Sequence, residues 1–581
     1  WLGHKTLIRE GGFNYKQSDM EKGGFVAQVG RNGIELIGSQ ISGLQLCCDQ
    51  KGNECLLYGV TAYIDGGIPI SAEDVLSFFV EQGPEAVRKL TGEFVLVVFL
   101  NNHRRTVIAG DKLGSQPVFL LKDLERGRII VSDKLSSLFS MSATIKVNLP
   151  AIIEYLQLGA ITPPDTAFQG IYSIPPGSAL VINDTTITEI HTYEPNIRKS
   201  YNVTNLLNTF LKAFQSSIEL RVKDCNKVAV MLSGGVDSAA ILFYAAQLIG
   251  TNKVEAFTIG PWGRESSEIP FARISAEYCS VKLNEEYGSR SILEDVPKLV
   301  DLLGQPNADV GAVATYRLSR LASNKSCEIL LNGQNADTIF GAIPYVETMR
   351  KWNMLQKYLF ARSIINRIGS LFNERTRLKI GFVCERDPIK AFLFKKTGYF
   401  LDHGGYDYIR LGNEFLKTYL LRKVKERFAQ SYHYHVADLV ILIDLFITES
   451  RRCIQAIKSP AILPVRMPYY DDRVVDAALQ VPDSLRTVQG VDKYILRTAF
   501  KGKVHDTIVY KKPKSLIFPL HLWLDEAHIL EQVSASPFIN ELIDVKKLVE
   551  LKKMLKPNGW AHTLYKIWFL ELWHSRFIES G

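Results

Sequence analysis

Short apolar segments separated by polar turns make up most of the first 195 residues. Segments 93–100, 106–109 and 129–131 have the length and the β-branched content of strands. Pro175-Pro176-Gly177 marks a turn, and the apolar segment 178–182 that leaves it has the pattern of another strand. The pattern therefore predicts a β-rich N-terminal region.

The hydrophobic pattern changes to a helical period after Asn202. Apolar side chains three and four positions apart predict one face of a helix, formed by Leu206, Leu207, Phe210, Leu211, Phe214 and Ile218. Strand-like and helix-like segments then alternate: strands are predicted at 227–232, 253–259 and 328–331, and helices at 239–249 and 271–278. Such alternation is typical of a parallel sheet covered by helices. The remainder is predicted to be mainly helical.

The length of 581 residues is too great for one hydrophobic core. We predict two domains, residues 1–197 and 198–581, because Pro195, Asn196 and charged residues interrupt the pattern between them. No apolar run approaches the ~20 residues needed to cross a bilayer. The eight cysteines lack zinc-site spacing, so we expect reduced thiols in a cytoplasmic protein. Cys47 and Cys48 are expected to be buried structural thiols.

The formal charge of +8 is unevenly distributed along the chain. Residues 350–400 contain twelve Lys or Arg and three Asp or Glu, interleaved with aromatic side chains. Such a segment would suit nucleic acid or an anionic peptide, but no recognised nucleic-acid-binding motif accompanies it. A helical insertion with a solvated basic face is the preferred interpretation, and nucleic acid is not an expected partner.

One segment has the composition of a phosphate-binding loop. An apolar strand ends in Ser233-Gly234-Gly235-Val236-Asp237-Ser238, and a helix begins at once. The two glycines let the backbone approach an anion, and exposed N–H groups at the start of the helix favour phosphate. Ser233 and Ser238 add hydroxyl donors, while Asp237 can hold Mg²⁺ against the phosphates. The loop lacks the lysine of a Walker sequence, so another kind of ATP site is predicted.

The loop resembles the PP-loop of ATP pyrophosphatases, and its surroundings resemble the asparagine synthetase family from about residue 202 to 577. The further motifs are Phe257-Thr-Ile-Gly260, Glu268 with Ala272-Arg273, residues 305–322, residues 332–341, residues 466–473, residues 492–497 and Lys512-Pro-Lys-Ser515. The resemblance implies nucleotide contacts at Leu232, Ser233, Gly234, Gly235, Asp237, Ser238, Thr258, Ile259 and Gly333. It also implies an acid near the substrate at Asp309, and Mg²⁺ ligands at Asp237 and Asp337.

The resemblance implies a reaction in which AMP passes from ATP to a carboxylate and pyrophosphate leaves. Mg²⁺ on the two aspartates, the serine loop and Lys514 would neutralise the departing phosphates. Amide formation then passes through an oxyanion, for which Lys493 or Lys514 is the natural stabiliser, and the family pattern favours Lys514. Glu449 is a candidate general base, with an ion pair to Arg451 and Arg452 as the alternative.

The N-terminal half resembles the class II glutaminase domain of the same family. The resemblance rests on residues 90–99, 109–119, 131–134, 158–164 and 175–177. That domain uses an N-terminal cysteine as nucleophile and the glutamine-binding signatures R-G-P-D and N-G-E. The sequence starts Trp1-Leu2-Gly3-His4 and contains neither signature, with residues 57–66 where N-G-E is expected. We therefore expect a degenerate domain that does not release ammonia from glutamine.

The predicted fold is an α+β N-terminal class II glutaminase-like (Ntn-type) β-sandwich domain followed by an α/β PP-loop synthetase domain. The second domain is expected to have a parallel sheet and a helical C-terminal part. Its ATP-dependent chemistry would use an amine borne by the substrate, as in lasso-peptide cyclases and β-lactam synthetase, which show a similar pattern. Ring closure of that kind also lowers the entropic cost of bringing the two groups together.

A macrolactam-forming cyclase of the lasso type is our first interpretation, with a precursor peptide and a leader peptidase as expected partners. Gln334 fits neither group of relatives, because amidating members tend to carry an acid there and β-lactam synthetase a tyrosine. The alternatives are an intermolecular or ammonia-dependent amide ligase, β-lactam synthetase-like closure, a catalytically inactive scaffold, and a tRNA sulfur-transfer enzyme.

Overall fold

The computed structural model describes residues 25–30, 33–39, 44–63, 70–123, 128–141, 146–183, 186–261, 268–288, 290–357, 380, 382–398, 408–410, 419–428, 434–511 and 518–579. The predictions for Lys514 and for about half of the basic segment 350–400 lie outside these residues. The side chain of Glu449 also lies outside them, although its backbone begins a helix.

The described strands fall into three larger sheets and one short hairpin. They are β1 (Phe25–Gly30), β2 (Gly33–Ser39), β3 (Leu44–Cys48), β4 (Glu54–Tyr63), β5 (Leu90–Leu100), β6 (Arg105–Gly110), β7 (Phe119–Asp123), β8 (Arg128–Ser132), β9 (Ile171–Ser173), β10 (Ser178–Ile182), β11 (Ile187–His191), β12 (Val228–Met231), β13 (Val254–Pro261), β14 (Lys282–Gly288), β15 (Ile329–Leu331), β16 (Val465–Arg466), β17 (Thr487–Val488) and β18 (Val491–Asp492).

Two antiparallel sheets stack face to face in the N-terminal half, with strand orders β2-β1-β8-β7-β9 and β11-β10-β6-β5-β4-β3. Every residue of β5 is buried because its sheet is covered on both faces. Val95 and Val97 pack in the core shared with the other sheet, while Leu96 and Val98 pack with the helix Ala72–Gln82. Alternate residues of a strand point to opposite faces, so β5 contributes to two cores at once.

A five-stranded parallel sheet with the order β14-β13-β12-β15-β16 forms the centre of the second half. The chain proceeds from β12 to β13 and β14 on one side, and returns to β15 and β16 on the other. β12 is therefore the topological switch point, and ligands of α/β sheets bind beyond the carboxyl ends of the strands at such a point.

Helices cover this sheet and form most of the remaining chain. The described α-helices are Ala72–Gln82, Leu149–Leu158, Val203–Val222, Val236–Ile249, Ile269–Tyr278, Val296–Leu303, Gly311–Asn324, Ala336–Ile339, Pro344–Gln356, Pro388–Gly398, Leu421–Arg427, Val436–Phe446, Glu449–Lys458, Asp472–Leu479, Tyr494–Phe500, Asp506–Val509, Leu520–Trp523, Glu526–Ala535, Pro537–Leu542, Val545–Leu551 and Pro557–His574.

A buried cluster of charges connects the two halves. The Glu93 carboxylate of β5 accepts hydrogen bonds from Arg221 Nε at 2.5 Å and Lys458 Nζ at 2.6 Å. Arg221 also pairs with Asp471 at 3.0 Å. Apolar contacts cross as well, since Phe168 and Trp573 have ring centroids 5.4 Å apart. The domain boundary at 197/198 stays a prediction.

The predicted fold class is confirmed, and the predicted strands and helices differ from the observed ones mainly at their ends. The helix predicted at 239–249 begins at Val236, inside the glycine loop. The expectation that Cys47 and Cys48 are both buried is wrong: Cys48 is exposed and Cys47 partly so, because β3 is the edge strand of its sheet. Within the described ranges, no helix has the length and apolar character needed to cross a membrane.

Candidate active site

The loop 233–238 lies at the switch point, between β12 and the helix Val236–Ile249. Gly234 has φ +74°, and a Cβ there would lie 2.6 Å from the Glu268 carbonyl oxygen, so a side chain does not fit. None of the described side chains caps the first turn of the helix. Its leading N–H groups are therefore in a position to bind an anion.

The two loop serines hold the loop against the first helical turn. Ser233 donates its backbone N–H to Ser238 Oγ at 3.1 Å, and Ser238 Oγ donates to the Gly235 carbonyl at 3.2 Å. Gly333, after β15, lies so close that a Cβ there would be 3.3 Å from Ser238 N. The loop thus has one shape, fixed by side chains of its own sequence and by the neighbouring strand end.

Lys493 joins the two aspartates that the sequence predicted as metal ligands. Its Nζ lies 2.6 Å from Asp237 Oδ2 and 2.6 Å from Asp337 Oδ1. Burial raises the pKa of Asp237, and the nearby ammonium opposes that increase. For Lys493, burial disfavours the charged form, but the two carboxylates raise its pKa above the ordinary value. The lysine is therefore a charged, 4% exposed counter-ion of both carboxylates.

A cavity of about 730 Å³ extends from this cluster. The predicted residues that line it are Ser233, Gly235, Asp237, Ser238, Asp309, Gly333, Asp337 and Lys493. Four predicted residues do not line it: Leu232, Gly234, Thr258 and Ile259. Gly234 packs against Glu268, Leu232 is buried directly after β12, and Thr258 and Ile259 are buried in β13. Their nucleotide contacts, like those of the residues on the wall, stay predictions.

Magnesium is implied by the family, and the carboxylates present fit it. Asp237 Oδ1 is buried and has no hydrogen-bond partner in the described part of the chain, while the Asp337 side chain is 62% exposed. The described residues contain no group of three or more potential His, Cys, Asp or Glu ligands. Water and phosphate oxygens would complete the six-fold oxygen coordination that Mg²⁺ requires.

The cavity wall carries a second set of charges. Asp309 accepts a hydrogen bond from Gly311 N at 2.8 Å, and its other oxygen lies 3.4 Å from Cys453 Sγ and 3.8 Å from Arg452 Nη2. All four residues line the cavity. A carboxylate beside a guanidinium is complementary to a ligand that carries both an amine and a carboxylate.

Sequence reasoning overlooked Lys511, which also lines the cavity. It directly precedes the Lys512-Pro-Lys-Ser515 motif, and most lysines of a protein are solvated, so nothing in the pattern distinguished it. Arg452 was considered only as an ion-pair partner of Glu449. Both residues reach the cavity wall through tertiary packing that spacing along the chain does not reveal.

The 233–238 loop, which lacks a Walker lysine and lies at the switch point of a parallel sheet, has the form of the loop in ATP-using enzymes of the PP-loop class. The asparagine synthase family matches residues 209–575, more than half of the chain, and the glutamine amidotransferase domain family matches residues 71–194. The chain belongs to the asparagine synthase family. It is accordingly an ATP-dependent carbon–nitrogen ligase.

Three curated relatives illustrate the range of this similarity. Asparagine synthetase [glutamine-hydrolyzing] 1 of Bacillus subtilis is 22% identical over 530 residues, which cover 87% of this chain and 81% of the relative. Putative asparagine synthetase [glutamine-hydrolyzing] 2 of Methanocaldococcus jannaschii is 23% identical over 46% of this chain and 53% of its own. Microcin J25-processing protein McjC of Escherichia coli is 26% identical over 37% of this chain and 40% of its own.

Proposed function

We propose that this ligase closes a peptide macrolactam. A carboxylate oxygen of the peptide attacks the α-phosphorus of ATP, and the bond to the β-phosphate breaks to release pyrophosphate. An amine of the same peptide then attacks the acyl carbon, AMP leaves with the former carboxylate oxygen, and the nitrogen loses a proton. The net change is loss of one water from the peptide and hydrolysis of ATP to AMP and pyrophosphate.

The observation that carries this proposal is the convergence of the 233–238 loop, Lys493 and two carboxylates on a cavity that continues to Asp309 and Arg452. The loop and Lys493 are suited to the phosphates, and Asp237 and Asp337 to Mg²⁺, which when bound would neutralise the pyrophosphate. The Arg452 guanidinium suits the carboxylate that reacts, and the Asp309 carboxylate suits the amine. In this scheme Lys514 or Lys493 stabilises the oxyanion, and Glu449 is the candidate base.

Two further points support an amine borne by the substrate. The glutamine-binding signatures R-G-P-D and N-G-E do not occur in the sequence, so the N-terminal domain is not expected to deliver ammonia. One relative is named a microcin-processing protein, which supports a peptide as the substrate class. A precursor peptide, a leader peptidase and a cytoplasmic location belong to the same proposal.

The test uses a set of synthetic peptides with a free α-amine and one Asp or Glu at varied distances from it. The carboxylate is labelled with ¹⁸O, and the enzyme receives each peptide with Mg-ATP. We expect one peptide class to lose a water and to pass one ¹⁸O atom to AMP. ADP as the product, or an unlabelled AMP, would contradict adenylation. As control, Asp237→Asn should form neither the dehydrated peptide nor AMP.

The second candidate is an intermolecular ligase or an ammonia-dependent synthetase acting on a small amino acid. It is favoured by the pairing of Asp309 with Arg452 at 3.8 Å, which suits one amino-acid-sized ligand. The same assay distinguishes it, with aspartate and ammonium replacing the peptides. AMP formation with aspartate and ammonium, and none with the peptides, would replace the first proposal by this one.

A further inference from the structure

Lys511 contacts the phosphate loop at Gly234, whereas Lys493 contacts it at Asp237. Lys511 Nζ donates to the Gly234 carbonyl at 3.1 Å and forms a close ion pair with Glu268. It also lies 4.1 Å from the centroid of the Phe271 ring. The side chains of Lys511 and Glu268 are 9% and 7% exposed, and both residues line the cavity.

A nearly buried ammonium needs compensation, which Glu268 and the ring of Phe271 supply. Compensation explains why the lysine is tolerated there, but not why a cation is placed against the backbone of this loop. The leaving group of adenylation is pyrophosphate, whose several negative charges require more than one cation. Lys493 is already paired with two carboxylates, so its charge is largely neutralised. Lys511 has one carboxylate partner, Glu268, against two for Lys493, so its ammonium is the less neutralised of the two and is better able to attract phosphate oxygens.

We propose that Lys511 is a further nucleotide-binding residue, whose ammonium contacts phosphate oxygens of ATP in the cavity. Glu268 is then a positioning residue that holds the ammonium beside Gly234. A lysine has three N–H donors, and Gly234 and Glu268 accept only two of them. The inference rests on the proposed placement of ATP at the 233–238 loop.

The test compares Lys511→Met and Lys511→Arg with Lys501→Met, which removes an exposed lysine of the same chain region. Affinities for ATP, pyrophosphate and adenosine are measured for each variant together with its melting temperature. We expect Lys511→Met to weaken ATP and pyrophosphate at least about tenfold and to leave adenosine unchanged, as loss of one charged hydrogen bond would. Lys511→Arg should recover most of the ATP affinity, and Lys501→Met should resemble the wild type.

Equal weakening of adenosine and ATP would show that Lys511 only shapes the loop, and would overturn the inference. Unchanged affinity for all three ligands would overturn it too. Gly234→Ala, whose Cβ displaces the loop, distinguishes a wrong role for Lys511 from a wrong location of ATP. If Gly234→Ala weakens ATP and Lys511→Met does not, only the role of Lys511 is wrong. If neither weakens ATP, the nucleotide binds elsewhere.

Glu268→Gln tests the positioning role. It leaves the charge of Lys511 but removes its carboxylate partner, so we expect a smaller loss of ATP affinity than in Lys511→Met. In the double variant Lys511→Met/Glu268→Gln, the loss should equal that of Lys511→Met alone, because residues acting through one contact are not additive. Additive losses would show that Glu268 acts independently of Lys511.

Discussion

Lys493 lies between two carboxylates that would otherwise attract a divalent cation. The backbone of Lys493 has an unusual φ of +57°, and the helix Tyr494–Phe500 begins at the next residue. This conformation costs a non-glycine residue of order 1 kcal/mol or more, and it persists here because the ammonium contacts both Asp237 and Asp337. In the absence of nucleotide, the lysine therefore competes with metal for the same two carboxylates.

We expect Lys493→Met to gain affinity for a divalent cation in the absence of nucleotide. Removing the ammonium leaves two close carboxylates without a counter-ion, so Mn²⁺ should bind at least about tenfold more tightly than to the wild type. Mn²⁺ titration followed by electron paramagnetic resonance measures this directly. The double variant Lys493→Met/Asp237→Asn should lose the gain. Turnover should fall by ~100-fold or more, as when a stabilising donor is removed from an active site.

Equal Mn²⁺ affinity in the wild type and in Lys493→Met would mean that Asp237 and Asp337 do not act together as metal ligands. The proposed metal site would then be wrong, although the ATP loop would be unaffected.

Gly234 and Gly502 offer a matched pair for testing the loop geometry. Their φ values are +74° and +76°, but a Cβ at Gly502 meets nothing within 4 Å, whereas at Gly234 it meets the backbone at Glu268. Both alanine variants should lose about 1 kcal/mol or more of stability because of the left-handed conformation. Only Gly234→Ala should also weaken ATP, by at least about tenfold. Calorimetric titration and urea unfolding measure the two effects, and equal ATP affinity in both variants would contradict the site.

At the scale of elements, the sequence predicted those structures that depend on local pattern. The strand 93–100 and the strand, glycine loop and helix around residues 228–249 were visible in the residues themselves. That β5 contributes to two cores was not, because its residues are apolar on both faces. The cavity wall was less predictable. Asp309, Arg452 and Lys511 come from segments far apart in the chain, and only tertiary packing brings them together. Asp309 was inferred from family resemblance, and Lys511 was missed.

The junction between β12 and its helix depends on Ser238, because its hydroxyl group joins the two ends of the loop. Ser238→Ala removes the acceptor of the Ser233 N–H and the donor to the Gly235 carbonyl. Each such bond contributes about 0.5–1.5 kcal/mol, so we expect ATP affinity to fall about three- to tenfold. Calorimetric titration of each variant with ATP checks this.

Ser319→Ala is the matched control for Ser238→Ala. Ser319 is also buried, accepts from Ile462 N at 3.0 Å and donates to the Tyr316 carbonyl at 3.0 Å, but it does not line the cavity. Ser319→Ala should lower the free energy of unfolding about as much as Ser238→Ala does, without any change in ATP affinity. A similar loss of ATP affinity in both variants would indicate a general destabilisation of the domain and not a specific role of the loop.

At the scale of the whole molecule, the N-terminal half is structurally integrated even though its glutaminase signatures are missing. One core cluster includes side chains from β1, from the helix Leu149–Leu158 and from the C-terminal helix Pro557–His574. Tyr155 donates to the Lys566 carbonyl at 2.7 Å across this contact. The sequence predicted two domains by a change of pattern, but pattern alone does not reveal that they share a core. The shared core gives the N-terminal half a structural role that does not depend on glutaminase activity.

The pH dependence of stability should report on the charge cluster between the halves. Burial opposes ionisation of Glu93, but Lys458 and Arg221 lower its pKa to about 2. The unfolded chain has a carboxyl pKa of about 4.3, so this contribution, about 3 kcal/mol, is present above pH ~4.3 and is lost as the pH falls toward ~2. Glu93→Gln should therefore lower the free energy of unfolding at pH 7 by about 3–5 kcal/mol, because two buried cations lose their partner.

Urea unfolding of the full chain at several pH values between 7 and 3 tests this prediction. The wild type should lose stability more steeply below pH ~4.5 than Glu93→Gln, so that the difference between them narrows as the medium becomes acidic. Glu85→Gln is the control: Glu85 pairs with Arg88 on the surface, where its side chain is 61% exposed. This change should alter stability by less than about 0.5 kcal/mol at any of these pH values. A constant difference between wild type and Glu93→Gln across the range would show that Glu93 is not ionised in the cluster.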